Sequence, residues 1–498
     1  MRFSFARLAA TIVVGLQVAA CGILTTSPSS SPIGSAGASP GPSASGALVS
    51  PGTSGPVPST GPLLPAGPAS ASLPVRGSAR ENSDHLVLMA PGPQGGLYVL
   101  IPARGAPATL ALFDSSGNLR PGWPAEIGGA TWCDHLLPAA DGSVRTICTG
   151  ENPDGNMYSP IDAYAFDENG RLRLGWPVAV QGSFVSGRVI GDDLALFTSV
   201  PFSDVIEEGQ PSSDGGVVTI APDGAISAGA RVPLDWSCCR GWAVSPDGIA
   251  YGTELKDGSS SIIALDGSGI RTGWPITLDD SISGTSFRAD GRVAVVLGSL
   301  VRSESRVVVL DRDAKLTSSA ELPIATALFT GDTGGCSVGS PQAPIVAEDG
   351  TVIVYSELDT HIYAVDSSPA VLVGWPFDSG VAIDRARPGL ETEHEAGFCP
   401  GPVPPAVGRD GTLYLALERR SATVGGSLVA VGRDGRVLPG WPVELERPGA
   451  EFWSVVVGPD GTAQALAIEP ESGGRSSATI LAIAADSSVI WTTTIIEP

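Results

Sequence analysis

Apolar residues in this chain come in short runs broken by turn-forming residues, and nowhere between residues 85 and 498 do they recur at helical spacing. Residues 403–444 show the unit. Pro404-Pro405-Ala406-Val407-Gly408 leads into Asp410-Gly411, and Thr412-Leu413-Tyr414-Leu415-Ala416-Leu417 follows. After a loop comes Ser427-Leu428-Val429-Ala430-Val431. The turn Gly432-Arg433-Asp434-Gly435 then leads into Val437-Leu438-Pro439-Gly440-Trp441-Pro442-Val443. The pattern predicts four short strands joined by hairpins.

The unit recurs. Turn signals separate two apolar runs at Gly95-Gly96, Asp141-Gly142, Asp192-Asp193, Asp247-Gly248, Asp290-Gly291, Asp349-Gly350, Asp410-Gly411 and Asp460-Gly461. Asp-Gly and Gly-Gly suit tight hairpins because both central residues can take positive φ. A second marker is Gly-Trp-Pro, at Trp123, Trp176, Trp274, Trp375 and Trp441, with gaps of 53, 98, 101 and 66 residues. Each long gap holds a degenerate copy, Arg231-Val232-Pro233 and Glu321-Leu322-Pro323, and a last copy without proline lies at Ile490-Trp491. Both markers count eight. Four-stranded units at a period of about 40 to 55 residues predict an all-β fold, an eight-bladed β-propeller of four-stranded antiparallel blades. The count becomes seven if the degenerate final unit mispairs. Gly-Trp-Pro itself reads as packing, with Trp between neighbouring blades and Pro on an outer strand where a missing N–H costs little.

The segment ending in Trp resembles the repeat of pyrroloquinoline-quinone-like propellers, Ala-x-Asp-x-x-x-Gly followed by Trp. It matches at Ala165-Phe166-Asp167 with Gly170 and Trp176, and at Ala364-Val365-Asp366 with Trp375; Ala264-Leu265-Asp266 with Trp274 and Leu112-Phe113-Asp114 with Trp123 match more loosely. The chain departs from that pattern by placing Gly before Trp and Pro after it. The resemblance spans residues 85–498 and implies the fold far more than the function.

The N-terminal part does not follow the repeat. Residues 1–21 read as a signal peptide: Arg2 and Arg7, an apolar stretch from Leu8 to Ala20, and Val18-Ala19-Ala20-Cys21, which resembles a bacterial lipobox. Cys21 is then the acylated anchor, and two or more acyl chains would hold it firmly at a membrane. Residues 22–80 form a Pro/Ser/Gly/Ala tether, uncharged as far as residue 75, that cannot bury enough surface to offset its ordering entropy. Residues 81–498 are the propeller. The expected location is the cell membrane, lipid-anchored and facing outside the cytoplasm.

The formal net charge is −23, with Lys256 and Lys315 as the two lysines, so nothing neutralises phosphates and nucleic acid is not an expected partner. Six cysteines besides Cys21 suggest disulfides in an exported chain. Cys133 and Cys148 flank the Asp141-Gly142 turn and could face each other across a hairpin. Cys336 and Cys399 pair by elimination and by similar position in adjacent blades, which leaves Cys238 and Cys239.

Strands of a blade alternate in direction. The first-to-second and third-to-fourth connections therefore share one face, and these are the tight turns. The second-to-third and blade-to-blade connections share the other, where the long loops 148–160, 199–215, 326–344 and 378–402 fall. The six cysteines, His85, His135, His361 and His394, and Trp132, Trp236, Trp242 and Trp453 lie in or beside those connections. Such asymmetry predicts a binding face, with Trp132, Asp134, His135, Arg240, Trp242, His361, His394 and Trp453 as its candidate residues.

Candidate chemistry is sparse. Ser237-Cys238-Cys239-Arg240-Gly241-Trp242 resembles the vicinal disulfide, Arg and stacking Trp of quinoprotein alcohol dehydrogenases, which implies pyrroloquinoline quinone and calcium as alternative cofactors. The haem motif Cys-x-x-Cys-His is absent from the sequence. Glu391, Glu393 and Glu395 around His394 are weak oxygen ligands for calcium. Asp311 and Asp313 read as a turn, and a disulfide at Cys133 removes the thiolate that zinc beside His135 would need. No catalytic residue, cofactor or metal is expected. The expectation is a non-catalytic binding or scaffolding protein whose partners are the membrane, through the anchor, and an envelope protein or cell-wall polymer. A calcium- and quinone-dependent dehydrogenase and a protein that recognises or cleaves cell-wall glycan are the alternatives.

Overall fold

The computed structural model describes residues 87–496 apart from 102–106, 129, 151–160, 202–212, 235–238, 257–258, 289, 299–303, 324–343, 356–359, 367–369, 382–404, 418–424 and 471–475. The leader, Cys21, the tether, His85, Trp236, Cys238, Cys336, Glu391, Glu393, His394, Glu395 and Cys399 lie outside the described residues.

Eight antiparallel blades follow one another, each a meander of consecutive strands. Blade 1 is Leu88–Pro91, Leu97–Ile101, Ala108–Phe113 and Ala125–Ile127; blade 2 is Ala130–Pro138, Val144–Gly150, Ile161–Phe166 and Val178–Val180. Blade 3 is Ser183–Ile190, Asp193–Pro201, Ser213–Ile220 and Ile226–Leu234. Blade 4 is Cys239–Val244, Ala250–Lys256 and Ser259–Asp266, the last paired with both Gly269–Ile270 and Ile276–Leu278. Blade 5 is Ser281–Phe287, Val293–Gly298, Ser305–Leu310 and Leu316–Leu322; blade 6 is Ile345–Val346, Val352–Val354, His361–Val365 and Phe377–Asp378. Blade 7 is Ala406–Val407, Leu413–Leu417, Ser427–Val431 and Val443–Glu444, and blade 8 is Glu451–Val457, Ala463–Pro470, Ser476–Ile483 and Val489–Ile496.

First strands of neighbouring blades pack against one another around a central axis, and the first strand of blade 8 meets that of blade 1. The fold is therefore an eight-bladed β-propeller. Among the described residues it closes by packing, with blade 8 built from residues 451–496. Phe113 stacks on Trp491 at 6.4 Å, the Trp491 indole N–H donates to the Ser115 carbonyl (3.1 Å), and the Gln464 amide donates to the Gly95 carbonyl (3.1 Å).

The core lies in the seams between blades. Leu97, Val99 and Phe113 of blade 1 bury against Ile480, Trp491 and Ile495 of blade 8, and the other seams repeat this. Both faces of a blade are thus covered. Its inner strands read as unbroken apolar runs, such as Leu97–Ile101, Val293–Gly298 and Leu413–Leu417, every residue of which is buried. A sheet with one wet face would alternate instead.

The eight turn signals all lie between first and second strands. Their mechanism differs from the sequence expectation, because only the glycine takes positive φ in the Asp-Gly pairs, for example Gly142 (75°), Gly350 (87°) and Gly411 (83°). The aspartate instead accepts the backbone N–H two residues on, as Asp349 does from Thr351 (2.9 Å) and Asp410 from Thr412 (3.0 Å). Its short carboxylate closes an Asx turn while its own backbone stays unstrained.

Gly-Trp-Pro is an inter-blade joint. The indole N–H groups of Trp123, Trp176, Trp375 and Trp441 donate to the carbonyls of Glu168, Pro222, Arg433 and Ala485, each in the third-to-fourth turn of the next blade, at 2.9 to 3.1 Å. The glycine before Trp has positive φ and abuts that turn so closely that a Cβ on Gly175 would stand 1.9 Å from the Asp223 carbonyl oxygen. The turn's own glycine faces back, since a Cβ on Gly224 would meet the Gly175 oxygen at 2.3 Å. The motif also interrupts its strand. In blades 1, 2, 6 and 7 an isolated bridge precedes it and a short strand follows, whereas blades 3, 5 and 8, which lack it, have long unbroken fourth strands. The five Trp-Pro peptides are cis.

Candidate functional site

The long-connection end of the ring is bracketed by described residues. Gly150 and Ile161 flank 151–160, Pro201 and Ser213 flank 202–212, Pro323 and Pro344 flank 324–343, and Val381 and Pro405 flank 382–404. Because the strands alternate, all these ends lie at the edge opposite the tight turns. Cys133 and Cys148 stand directly opposite in register and are disulfide-bonded, with Cα atoms 3.9 Å apart and S–S 2.06 Å.

The candidate residues are scattered around that edge. Ala130–Pro138 carries Trp132, Asp134 and His135, and His135 is half-buried with its carbonyl accepting the Thr146 hydroxyl at 2.7 Å. Cys239 and Arg240 open the first strand of blade 4, and only their backbone is described. Trp242 is 6 % exposed and stacks on Phe197 at 4.0 Å, and a Cβ on Gly252 would fall 2.2 Å from its ring, so this indole fills the seam between blades 3 and 4. Trp453 is half-buried at a bulge in blade 8 and packs against the blade 1 core. His361 pairs in register with Asp378. The Asp378 carboxyl is held below its usual range, first by the Gly380 N–H against the cost of burial, then by a hydrogen bond from Thr360 and the nearby His361. Asp311 accepts from the backbone N–H groups of Asp313 and Lys315 at 3.0 and 2.9 Å, so Asp-x-Asp is a turn. Among the described residues no group of three or more His, Cys, Asp and Glu is placed to hold a metal ion.

One cavity of useful size was not foreseen from the sequence. It has a volume of about 490 Å3 and lies against the last residues of four successive first strands: Leu137 and Pro138 of blade 2, Ser186–Val189 of blade 3, Ala243 and Val244 of blade 4, and Phe287 of blade 5. Each of those strands runs into a tight turn, so the cavity sits at the tight-turn end of the central channel, away from the long connections. Arg188 is its charged side chain. Water reaches the guanidinium, yet the surrounding blades strip away enough bulk solvent to push its pKa down, with no carboxylate opposing that shift.

The rim nearby is organised differently. Arg145 is fully buried, donates to the Ser143 hydroxyl and to the Asp192 carbonyl of blade 3 (2.8 Å), and lies 3.8 Å from Asp141. Arg173 reaches Asp141 at 3.0 Å. Burial works to raise the Asp141 carboxyl, but hydrogen bonds from Ser143 and the charges of Arg145 and Arg173 hold it below the usual range.

Neither a known family model nor a curated protein sequence matches the chain. Among solved structures it is similar to a protein of unknown function from Bacteroides caccae, at 11 % identity over 57 % of this chain and 95 % of that one (TM-score 0.30). The β-propeller domain of the Trilobed protease from Pyrococcus furiosus is 12 % identical over 70 % of this chain and 94 % of its own (TM-score 0.38). Virginiamycin B lyase from Staphylococcus aureus is 13 % identical over 61 % of this chain and all of its own (TM-score 0.31). At these TM-scores the likenesses carry no weight for this chain's function; its class, an eight-bladed all-β propeller, stands on its own strand pairing.

Proposed function

We propose that the chain is a lipid-anchored extracytoplasmic propeller of the pyrroloquinoline-quinone-like kind that binds rather than catalyses, docking an envelope protein or cell-wall polymer on its long-connection face. The asymmetry of the ring carries this reading. Eight short turns close one edge, while the long connections all depart from the other, above a scaffold whose seams are filled with apolar side chains and capped indoles. The Ala-x-Asp-x-x-x-Gly…Trp segments support the quinone-like repeat, and Val18-Ala19-Ala20-Cys21 supports the anchor.

Binding of the full chain to isolated cell-wall polymer and to solubilised envelope proteins tests it. Replacing residues 382–404 by a short Gly-Ser linker should weaken capture at least tenfold, while Arg173→Ala on the opposite rim should leave it unchanged. Cys21→Ala should release the protein from the membrane fraction. Capture indifferent to the loop replacement would sink the docking reading. Saturable binding of pyrroloquinoline quinone with calcium, coupled to dye reduction by alcohols or sugars, would replace it with the dehydrogenase.

A further inference from the structure

We infer that the cavity at the tight-turn end of the channel is a binding site for a small organic anion, a carboxylate or phosphate carried on an apolar body, with Arg188 as its anchor. The inference is independent of the docking face, which lies at the other end of the ring.

Three observations converge on it. First, the Arg188 guanidinium has no hydrogen-bond or ion-pair partner among the described residues, a state it shares with Arg120, Arg171 and Arg436, although this protein carries a net charge of −23 and pairs many of its other arginines. Arg173 has Asp141, Arg231 has Asp214 and Arg306 has Asp280, all within 3.2 Å. Arg188 is exposed to solvent, so an incoming anion would replace water and displace no protein partner among the described residues, and the planar fork suits the two oxygens of a carboxylate or phosphate. Second, Leu137, Val189, Ala243, Val244 and Phe287 give the lining an apolar part beside Ser186, Gly187 and Arg188. A bare hydrated ion gains nothing from such walls, whereas an anion bearing a ring or short chain buries that body against them. The volume of about 490 Å3 lies within the range of small-molecule sites. Third, Ser186 in the same lining accepts the Val244 N–H through its Oγ at 3.3 Å, which leaves the hydroxyl hydrogen free to donate to an anion. The single charged side chain, a cation, favours an anion over a cation as the ligand.

Calorimetric titration of the full chain with benzoate, phenyl phosphate, inorganic phosphate and benzyl alcohol tests this. Benzoate or phenyl phosphate should bind saturably, and the stronger of the two identifies the head group. Inorganic phosphate and benzyl alcohol should each bind at least tenfold more weakly, since one lacks the body and the other the charge. Arg188→Gln should weaken the preferred anion at least tenfold and Arg188→Lys by less, with the unfolding midpoint of each variant unchanged or raised. In the unaltered chain, chloride should compete, so affinity should fall between 50 mM and 1 M salt, by roughly the loss expected when a single charge pair is screened. The inference is overturned if neither anion binds saturably, if Arg188→Gln binds as well as the parent, or if salt leaves the affinity unaltered.

Discussion

At the level of single residues, the joint between blades 4 and 5 departs from the others. In the turns that meet the joints of blades 1, 2 and 6 the left-handed position is Gly170, Gly224 or Gly435; here it is Ala314, with φ 68°, and at the joint between blades 7 and 8 it is Ser487, with φ 69°. Its methyl group lies 3.7 Å from where a Cβ on Gly273 would stand, and the Asp313 oxygen is 3.5 Å from that point instead of the 1.9 to 2.2 Å found at Gly122, Gly175 and Gly374. The turn is set back, and the Trp274 indole N–H and the Tyr251 hydroxyl are both buried with no hydrogen-bond partner among the described residues. The corresponding groups in blade 1 are satisfied, Trp123 by Glu168 and Tyr98 by Gly142. Ala314→Gly should therefore raise stability by about 1 kcal/mol from relief of the left-handed backbone alone, and more if the turn closes onto Trp274. Gly175→Ala should do the reverse and cost more, because its Cβ meets a carbonyl. Chemical denaturation of both variants, with Gly267→Ala as a control whose Cβ meets nothing within 4 Å, checks the two signs together.

Among the elements, the first hairpin of blade 2 is the one whose covalent cross-link was legible in advance. Cys133 and Cys148 flank a tight turn at a sequence separation of 15, and hairpin register brings them opposite. Removing the bridge with Cys133→Ala and Cys148→Ala should lower stability by up to about 3 kcal/mol, the loop-closure entropy of a span that long. An unchanged unfolding midpoint under reducing conditions would show that strand pairing alone holds the hairpin. The interrupted fourth strands were less legible. In sequence, Val437 to Val443 reads as one apolar run; in the fold it is a bridge at Val437, a joint at Trp441 and a two-residue strand from Val443. Pro439-Gly440 and Pro442 mark a break within the run, but its cause, a turn of the next blade pressing against Gly440, shows only in the fold. The Asp-Gly turns were located correctly and explained differently, since side-chain hydrogen bonding, which propensity does not weigh, spares the aspartate a strained backbone.

On the scale of the whole ring, periodicity made blade number and strand order readable, since eight copies of two markers leave little freedom. The cavity was not readable. Leu137, Arg188, Val244 and Phe287 come from four blades, and each is an unremarked residue near the end of a strand; only closure into a ring makes them neighbours. Seams built alike also respond alike. Tyr98, Tyr251 and Tyr414 each put a ring edge-on to a joint tryptophan, at 5.8, 5.3 and 5.6 Å. Burial raises all three phenols, Tyr251 and Tyr414 to about 12, against an ordinary value of 10.0. Unfolded tyrosines would ionise near pH 10 while the folded ones keep their protons. Stability is thus full below pH 10 and falls as pH rises towards 12. Tyr414→Phe should remove part of that alkaline loss; melting curves at pH 9 and 11 that shift equally in variant and parent would assign the loss elsewhere.

Closure by packing also leaves the order of the blades in the chain structurally arbitrary. Val87 and Ile495, near the two ends of the described chain, belong to the same core cluster, and no blade is shared between them. The protein is a natural subject for circular permutation. A chain opened at Gln181-Gly182, between blades 2 and 3, and joined from Ile496 to Val87 by a short flexible linker should fold to the same ring, because every seam it needs is already written within the blades.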